Sequence, residues 1–319
     1  MKHFLKLMDL ESGEIKEILD LADKLKRDNK EGKAHPLLAG KTLGMIFSKS
    51  STRTRVSFEV GMYQLGGHAL FLSARDLQIG RGEPVEDTAR VLSRYLDGIM
   101  IRTFAQSEVE DLAKYGSIPV INGLTDFCHP CQVMADLMTI RERFGTLEGK
   151  KMTFIGDGNN MANSLIVGGL KMGMSVSVAC PVGYYPDESV LHFAASYSSK
   201  FHLTNSTEEA AQGADVIISD VWASMGQEGE AEKRRAVFDG VYQINDALMA
   251  LANPGCMVQH CLPAHRGEEI TAEVFEAHAA EIFEEAENRL HMHKAILVTL
   301  MQERGSMGQN RFTSLLGKH

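Results

Sequence analysis

Cysteine is scarce: Cys128, Cys131, Cys180, Cys256 and Cys261 are the only five in 319 residues. They are too few for a disulfide scaffold, and their odd number fits reduced thiols in a reducing compartment. No apolar run approaches the ~20 residues of a membrane helix. The opening stretch, MKHFLKLMDLESGEIKEILD, scatters charges where a signal peptide would be apolar. A cytoplasmic protein with no membrane partner is therefore expected. Internal repeats, low-complexity tracts and proline-rich linkers are also missing, which argues against solenoids and tethered modules. Positive charge is in deficit, with 33 Lys and Arg against 42 Asp and Glu, a net charge of −9. That balance argues against nonspecific nucleic-acid binding but still permits a small anionic substrate in a local basic pocket.

What the chain does have is length for about two domains and 44% hydrophobic residues, enough for substantial cores. Apolar runs predict buried strands at Thr42–Phe47, Ala69–Leu72, Gly98–Ile101 and Pro119–Ile121. A second set follows at Met152–Ile155, Val176–Ala179, Val216–Ile218 and Met257–Gln259. Helical patterns lie between them: Val56, Val60 and Tyr63 share one face of the first, and Asp87–Tyr95, Glu108–Tyr115 and Val133–Phe144 follow. Alternating strands and helices imply parallel sheets with right-handed crossovers, so the fold class is α/β with two doubly wound domains. The turn-rich segment from Gly145 to Lys150 sets the boundary between them. Asn288–Met301 reads as a further helix able to dock on either domain.

In open parallel sheets ligands bind beyond the carboxyl ends of the strands, which singles out the polar residues there. Ser50-Ser51-Thr52-Arg53-Thr54 meets a helix start, where free N–H groups and the positive dipole end favour an anion. Hydroxyls and a guanidinium add donors, so a phosphate suits the cluster; a plain N-cap with solvated arginines is the competing reading. Arg102 stands at the end of another strand. Cys128-His129-Pro130-Cys131-Gln132 offers soft metal ligands, yet no second Cys-x-x-Cys accompanies it. Prolines at 130 and 263 suggest rigid turns aiming single side chains, and a histidine so held can stabilise an oxyanion.

Gly156-Asp157-Gly158-Asn159-Asn160-Met161 begins like a dinucleotide fingerprint but has Met161 in place of the third glycine. Its asparagines could instead receive a carboxylate or ammonium group. Asp220, at a strand end, suits either a cationic amine, with the following Ser224-Met225-Gly226 able to close over it, or a plain helix or turn cap. His260-Cys261-Leu262-Pro263 is tightly turned, Leu262-Pro263 being a candidate cis bond. Cys261 is either an inert thiol or a tuned reactive group.

Taken in order, STRTR, HPCQ, DGNN, the DxxxSMG loop and HCLPAHRGEE resemble the motif set of the ornithine carbamoyltransferases, over essentially the whole chain. The resemblance implies a carbamoyl-phosphate domain (residues 1–147, joined by a C-terminal helix at about 288–319) and an ornithine domain (148–287). N- and C-terminal helices would cross between the two. It implies a homotrimer with shared active sites and a reaction needing neither metal nor cofactor. By motif, Ser51, Thr52, Arg53 and Thr54 would hold phosphate, with Arg102 bridging phosphate and carbonyl oxygen. His129 and Gln132 would contact the carbamoyl group, Arg289 would be a late carbamoyl-phosphate ligand, and Gln78 would come from a neighbouring subunit. Asn160, Asp220, Ser224 and Met225 would receive the α-amino and α-carboxylate groups of L-ornithine, with Cys261 and Leu262 beside the δ-amine. Arg53, Arg102, His129 and Cys261 are the catalytic candidates. The proton of the attacking amine would go to Cys261 or to the leaving phosphate.

Overall fold

The protein is described by a computed structural model covering residues 1–224 and 226–302. Two parallel sheets organise it. The first has β1 (Thr42–Phe47), β2 (His68–Ser73), β3 (Gly98–Arg102) and β4 (Val120–Leu124) in the order β2-β1-β3-β4. The second has β5 (Lys151–Ile155), β6 (Ser175–Ala179), β7 (Phe201–Thr204), β8 (Val216–Ser219) and β9 (Met257–His260) in the order β7-β6-β5-β8-β9. In each, the order reverses beside the first strand, β1 or β5, giving the switch point at which open sheets form clefts.

Helices pack against the sheets, so inner strands such as β1 read as apolar runs; β3 and the edge strand β4 are buried throughout, while the other edge strand, β2, has no buried residue. The strand edges are regular except where Ile101 and Arg102 of β3 meet Asn122 and Leu124 of β4, a shift of register at Gly123. A Cβ at Gly123 would meet the Met100 sulfur at 2.6 Å, so the residue must be small where the strand is redirected. The shift lies at the end of the strand that presents Arg102.

The helix Pro130–Phe144 starts with proline, whose missing N–H costs nothing in a first turn, and stops at Gly145 with φ of 75°. The longest helix, Ala279–Met301, begins nine residues earlier than the sequence pattern suggested. It packs on Ser12–Lys30, Thr52–Gln64, Pro130–Phe144 and β9, and so touches both halves of the molecule. Its buried polar residues include Glu285, Asn288, Arg289, His293 and Lys294. Only Glu285 of these lies in the missed stretch, residues 279–287, where four glutamates read as surface and mask the apolar periodicity.

Two further differences have physical causes. Strand β7 is absent from the sequence-based expectation because FHLT is short and alternates with polar residues, as an edge strand covered on one face does. On the helix Thr52–Gln64, the stripe carrying Val56, Val60 and Tyr63 faces outward, Tyr63 being 82% exposed. The opposite stripe, Thr54, Phe58, Gly61 and Met62, is the buried one. Both stripes are largely apolar, so periodicity alone could not say which turns inward. Residues 303–319, the remainder of the expected C-terminal helix, lie outside the described residues. Among the described residues no helix is long and apolar enough to cross a membrane.

Candidate active site

The carboxyl ends of both sheets open onto one cleft of about 590 Å³. Its first wall follows from helix starts. Ser51 caps the helix Thr52–Gln64, its Oγ accepting from the Thr54 N–H at 3.1 Å. Other N–H groups of that first turn have no partner inside the helix and give its end positive potential.

Arg53, Arg102 and Arg289 converge here, and none has an ion pair among the described residues. Arg53 Nη2 donates to the Leu262 carbonyl across the cleft. Arg102 is 5% exposed; burial, then Arg289, pushes its guanidinium down to about 9, still charged at neutral pH. Arg289 donates from Nη1 to Gln132 Oε1 at 3.0 Å and from Nη2 to Thr54 Oγ1 at 2.8 Å. Arg102 and Arg289 are buried and Arg53 half-buried, and the acceptors that meet Arg53 and Arg289 are neutral, which leaves a site with unspent positive charge. His129 lies among them, at the N-cap of Pro130–Phe144, its backbone N–H held by Ser164 Oγ at 2.8 Å. Burial, then the nearby Arg289 and Arg102, hold its imidazole well below the usual range, so it is neutral. Its Nδ1 meets no partner.

The second wall is acidic and amide-rich. Asn159 caps the helix Asn160–Lys171, its Oδ1 accepting from Met161 N at 2.9 Å, while its Nδ2 donates to Asp220 Oδ2 at 2.9 Å. Asp220 Oδ1 accepts from Val221 N at 2.8 Å and from the Cys261 thiol at 3.0 Å. Burial, then the Asp220 carboxylate, pushes that thiol well above its usual range; Cys261 is a hydrogen-bond donor here, not a thiolate. His260, one residue earlier, is fully buried. Its Nδ1 accepts from Leu262 N at 2.9 Å and its Nε2 bonds Glu269 at 3.0 Å, fixing the turn that offers Cys261 and Leu262. The Leu262-Pro263 peptide is cis.

The loop after Asp220 is tethered from behind. Arg234 Nη1 donates to Asp157 Oδ2 at 2.6 Å and to the Trp222 carbonyl at 3.0 Å. Gln227 Oε1 accepts from Ser224 N at 3.0 Å.

Of the residues singled out from the sequence, Ser51, Arg53, Arg102, His129, Asn160, Asp220, Ser224, Cys261, Leu262 and Arg289 line the cleft. Thr54 and Gln132 are fully buried behind it, gripping Arg289. Thr52 and Gln78 are exposed and do not line it; Gln78 opens a short turn, Gln78–Arg81. Met225 lies outside the described residues.

The structure adds Gln227, Phe104 and Lys49 to the cleft and sets Asn159 there beside Asn160. Lys49, 6% exposed, pairs with Asp126 and lies 4.4 Å from the Phe104 ring. Its position between Phe47 and the hydroxyl run is the signal that could have marked it.

Two alternatives lose their structural basis. The backbone of Tyr184 to Pro186 closes on Gly158, where a Cβ would stand 2.3 Å from Pro186 N, so the turn is not open for a dinucleotide. Cys131 donates to the Asn122 carbonyl at 3.3 Å and Cys128 to the Leu5 carbonyl at 3.6 Å, and among the described residues no three ligand atoms gather around either thiol.

Comparison with known proteins agrees with this two-walled arrangement. Residues 2–142 match a family model described as the carbamoyl-P binding domain of aspartate/ornithine carbamoyltransferase, and residues 148–300 match its Asp/Orn binding domain. A protein of Carboxydothermus hydrogenoformans named ornithine carbamoyltransferase is 56% identical over 304 residues, spanning 94% of this chain and 97% of its own length. The solved ornithine carbamoyltransferase of Pyrococcus furiosus is 52% identical with a TM-score of 0.90, covering 96% of this chain and 98% of that one. An anabolic ornithine carbamoyltransferase from Campylobacter jejuni superposes with a TM-score of 0.88 at 42% identity, covering 94% and 99%.

Proposed function

The chain belongs to the aspartate/ornithine carbamoyltransferase family, and from that premise we propose that it transfers the carbamoyl group of carbamoyl phosphate to the δ-amine of L-ornithine, giving L-citrulline and phosphate. The observation that carries this reading is the pairing of three arginines without acid partners on one wall with Asp220 on the other. Residues 1–147 with the last helix bind carbamoyl phosphate, and residues 148–287 bind ornithine.

On the first wall, Ser51 and Arg53 with Arg102 and Arg289 hold the phosphate, Thr52 contributes through the backbone of the helix start, Thr54 steadies Arg289 from behind, and Arg102 reaches the carbonyl oxygen. Neutral His129 donates one N–H toward that oxygen, where negative charge grows in the tetrahedral intermediate. Gln132 acts from behind, through Arg289. On the second wall Asp220 takes the α-ammonium, while Asn160, Ser224 and Met225 receive the α-carboxylate. Among the described residues, those lining the cleft from the second sheet include no lysine or arginine. Aspartate as acceptor would need such a cation for its second carboxylate, which favours ornithine.

The δ-amine must attack uncharged. Its ordinary pKa is about 10.4, and three nearby guanidinium groups disfavour the ammonium form. The nitrogen bonds the carbonyl carbon, the bond to the phosphate oxygen breaks, and the amine proton leaves with the phosphate. Cys261 keeps its own proton, donating to Asp220 and so presenting that carboxylate in one orientation.

Gln78, exposed and outside its own cleft, fits a role in a neighbouring subunit's site within a homotrimer. The outward stripe of Val56, Val60 and Tyr63, continued by Leu70 and Phe71, supports self-association. The cytoplasm suits both substrates and the reduced cysteines.

Phosphate release from carbamoyl phosphate, measured with ornithine, aspartate, putrescine and N-acetylornithine in turn, tests the proposal. Ornithine-dependent release with citrulline formation is expected; its absence overturns the reading.

A further inference from the structure

Behind the three arginines lies a buried group that the proposed chemistry does not use. Asp136 and Glu285 are 1% and 2% exposed and stand on different helices, Pro130–Phe144 and Ala279–Met301. The side-chain amide of Gln132 donates to both, at 2.8 Å to Asp136 Oδ1 and at 2.6 Å to Glu285 Oε1. Both hydrogens of the amide are thereby spent, and its carbonyl is turned the other way, onto Arg289 Nη1 at 3.0 Å. Glu285 Oε2 accepts from His260 N at 3.0 Å, beside Cys261.

We infer that Asp136 and Glu285 are positioning residues for Arg289: they fix the Gln132 amide so that a neutral carbonyl, not a carboxylate, holds the guanidinium at the cleft. This rests on reading the cleft as a carbamoyl-phosphate site. Two carboxylates in direct contact with Arg289 would neutralise the charge that the phosphate needs. An amide inserted between them transmits their hold while keeping the cation free of an acid partner. A flipped amide would set its oxygen against two carboxylates and its NH₂ against a cation, losing three hydrogen bonds at once. The pair therefore selects one of two amide orientations, and the selected one is the one that grips Arg289. Through His260 N, the same Glu285 also links this grip to the turn on the ornithine side.

Such a pair cannot hold two full charges. Burial, then Asp136, pushes Glu285 well above the carboxylate range, and burial pushes Asp136 up to about 7. Facing the pair are the Gln132 amide from its own helix, Arg289 from the long helix and the His260 N–H from β9. The Gln259 amide lies on the Asp136 carbonyl at 3.1 Å, and Asp220 acts through space. With one proton shared, an acceptor stays in place for each amide hydrogen. With two protons, an acid O–H competes for the position facing Gln132.

The two carboxylates differ in a way that makes the idea testable. Both oxygens of Glu285 accept N–H donors, whereas Asp136 Oδ2 meets none. An isosteric amide therefore fits at 136, where its NH₂ can donate to Glu285. At 285 it must turn an NH₂ against another N–H. Steady-state kinetics with carbamoyl phosphate varied at saturating ornithine should show the difference. Glu285→Gln is expected to raise KM for carbamoyl phosphate tenfold or more, and Asp136→Asn by less than about threefold. Inorganic phosphate, used as a competitive inhibitor, should weaken in the same order. Equal effects of the two variants, or a KM within threefold for a folded Glu285→Gln, overturn the inference.

If Glu285→Gln does not fold, as judged by circular dichroism, the pH profile of Asp136→Asn decides. Wild-type KM for carbamoyl phosphate should rise below about pH 7 as the second proton binds, and Asp136→Asn should flatten that rise; an unchanged rise refutes the pair's role. Wild-type citrulline formation, run alongside, tests the reading of the cleft separately.

Discussion

Replacing Asp220 by asparagine keeps the size of the side chain and removes its charge, so it isolates what the acid does for the acceptor. In the structure the carboxylate accepts three donors: Val221 N at 2.8 Å, the Cys261 thiol at 3.0 Å and Asn159 Nδ2 at 2.9 Å. An asparagine can serve the donors on one side only, because its NH₂ must face a donor on the other. With Asp220 on the acceptor's α-ammonium, as proposed, the substitution loses a charge-assisted contact worth about 1.5–3 kcal/mol and sets one pair of donors against each other. About 2–4 kcal/mol in total corresponds to a fall of roughly 30- to 900-fold in kcat/KM for ornithine. Citrulline formation with ornithine varied at saturating carbamoyl phosphate measures it.

The control is 5-aminopentanoate, which keeps the terminal amine and carboxylate but has no α-amine. With that acceptor wild type and Asp220→Asn should differ by well under a factor of ten, since the lost contact is not made. A kcat/KM for ornithine within threefold of wild type, or an equal penalty with both acceptors, would refute the assignment of Asp220 to the α-ammonium.

Two other outcomes follow from the geometry. Arg53→Ala removes the donor to the Leu262 carbonyl that is proposed also to hold phosphate, and turnover at saturating substrates should fall roughly 10²-fold or more; near-normal turnover would reduce Arg53 to a helix-end residue. His291, buried and held by desolvation, then Lys294, at about 4, binds its proton more weakly folded than unfolded. Between about pH 6.5 and 4 the unfolded chain then carries more protons, so stability is lost as pH falls through that window, by about 3 kcal/mol for this group at pH 4. Denaturant titrations at pH 7 and pH 4.5 should show His291→Gln losing less stability than wild type across that interval; an equal loss would contradict a neutral His291.

Most strands were legible in the sequence because central parallel strands bury both faces and read as unbroken apolar runs, as Thr42–Phe47 does to the residue. Edge strand β7 was not, since half its residues are polar. The start of the long terminal helix was hidden for a related reason: Glu281, Glu284 and Glu285 read as surface, yet Glu285 is buried at the centre of the molecule. Sequence position at a strand end singled out Arg102, Asp220 and Cys261, and all three line the cleft because parallel sheets bring their strand ends together. It could not say that Gln132 stands behind Arg289 rather than in the cleft, nor that Asn159 orients Asp220 while Asn160 reaches the Thr125 carbonyl. Those are facts of rotamer and packing between elements remote in the chain. Nor could composition tell a thiol from a thiolate at Cys261, since its protonation follows from burial and from a carboxylate 41 residues away.

The helix Ala279–Met301 packs on Ser12–Lys30, Thr52–Gln64 and Pro130–Phe144 yet follows all three in the chain. While the chain is being synthesised, Phe58 and Met62 must wait, without their final neighbours, for more than two hundred further residues to be added. Arg289 reaches Thr54 only then, across 235 positions of sequence. Until then the first wall of the cleft lacks Arg289, and Phe58 lacks the His293 ring that stacks on it.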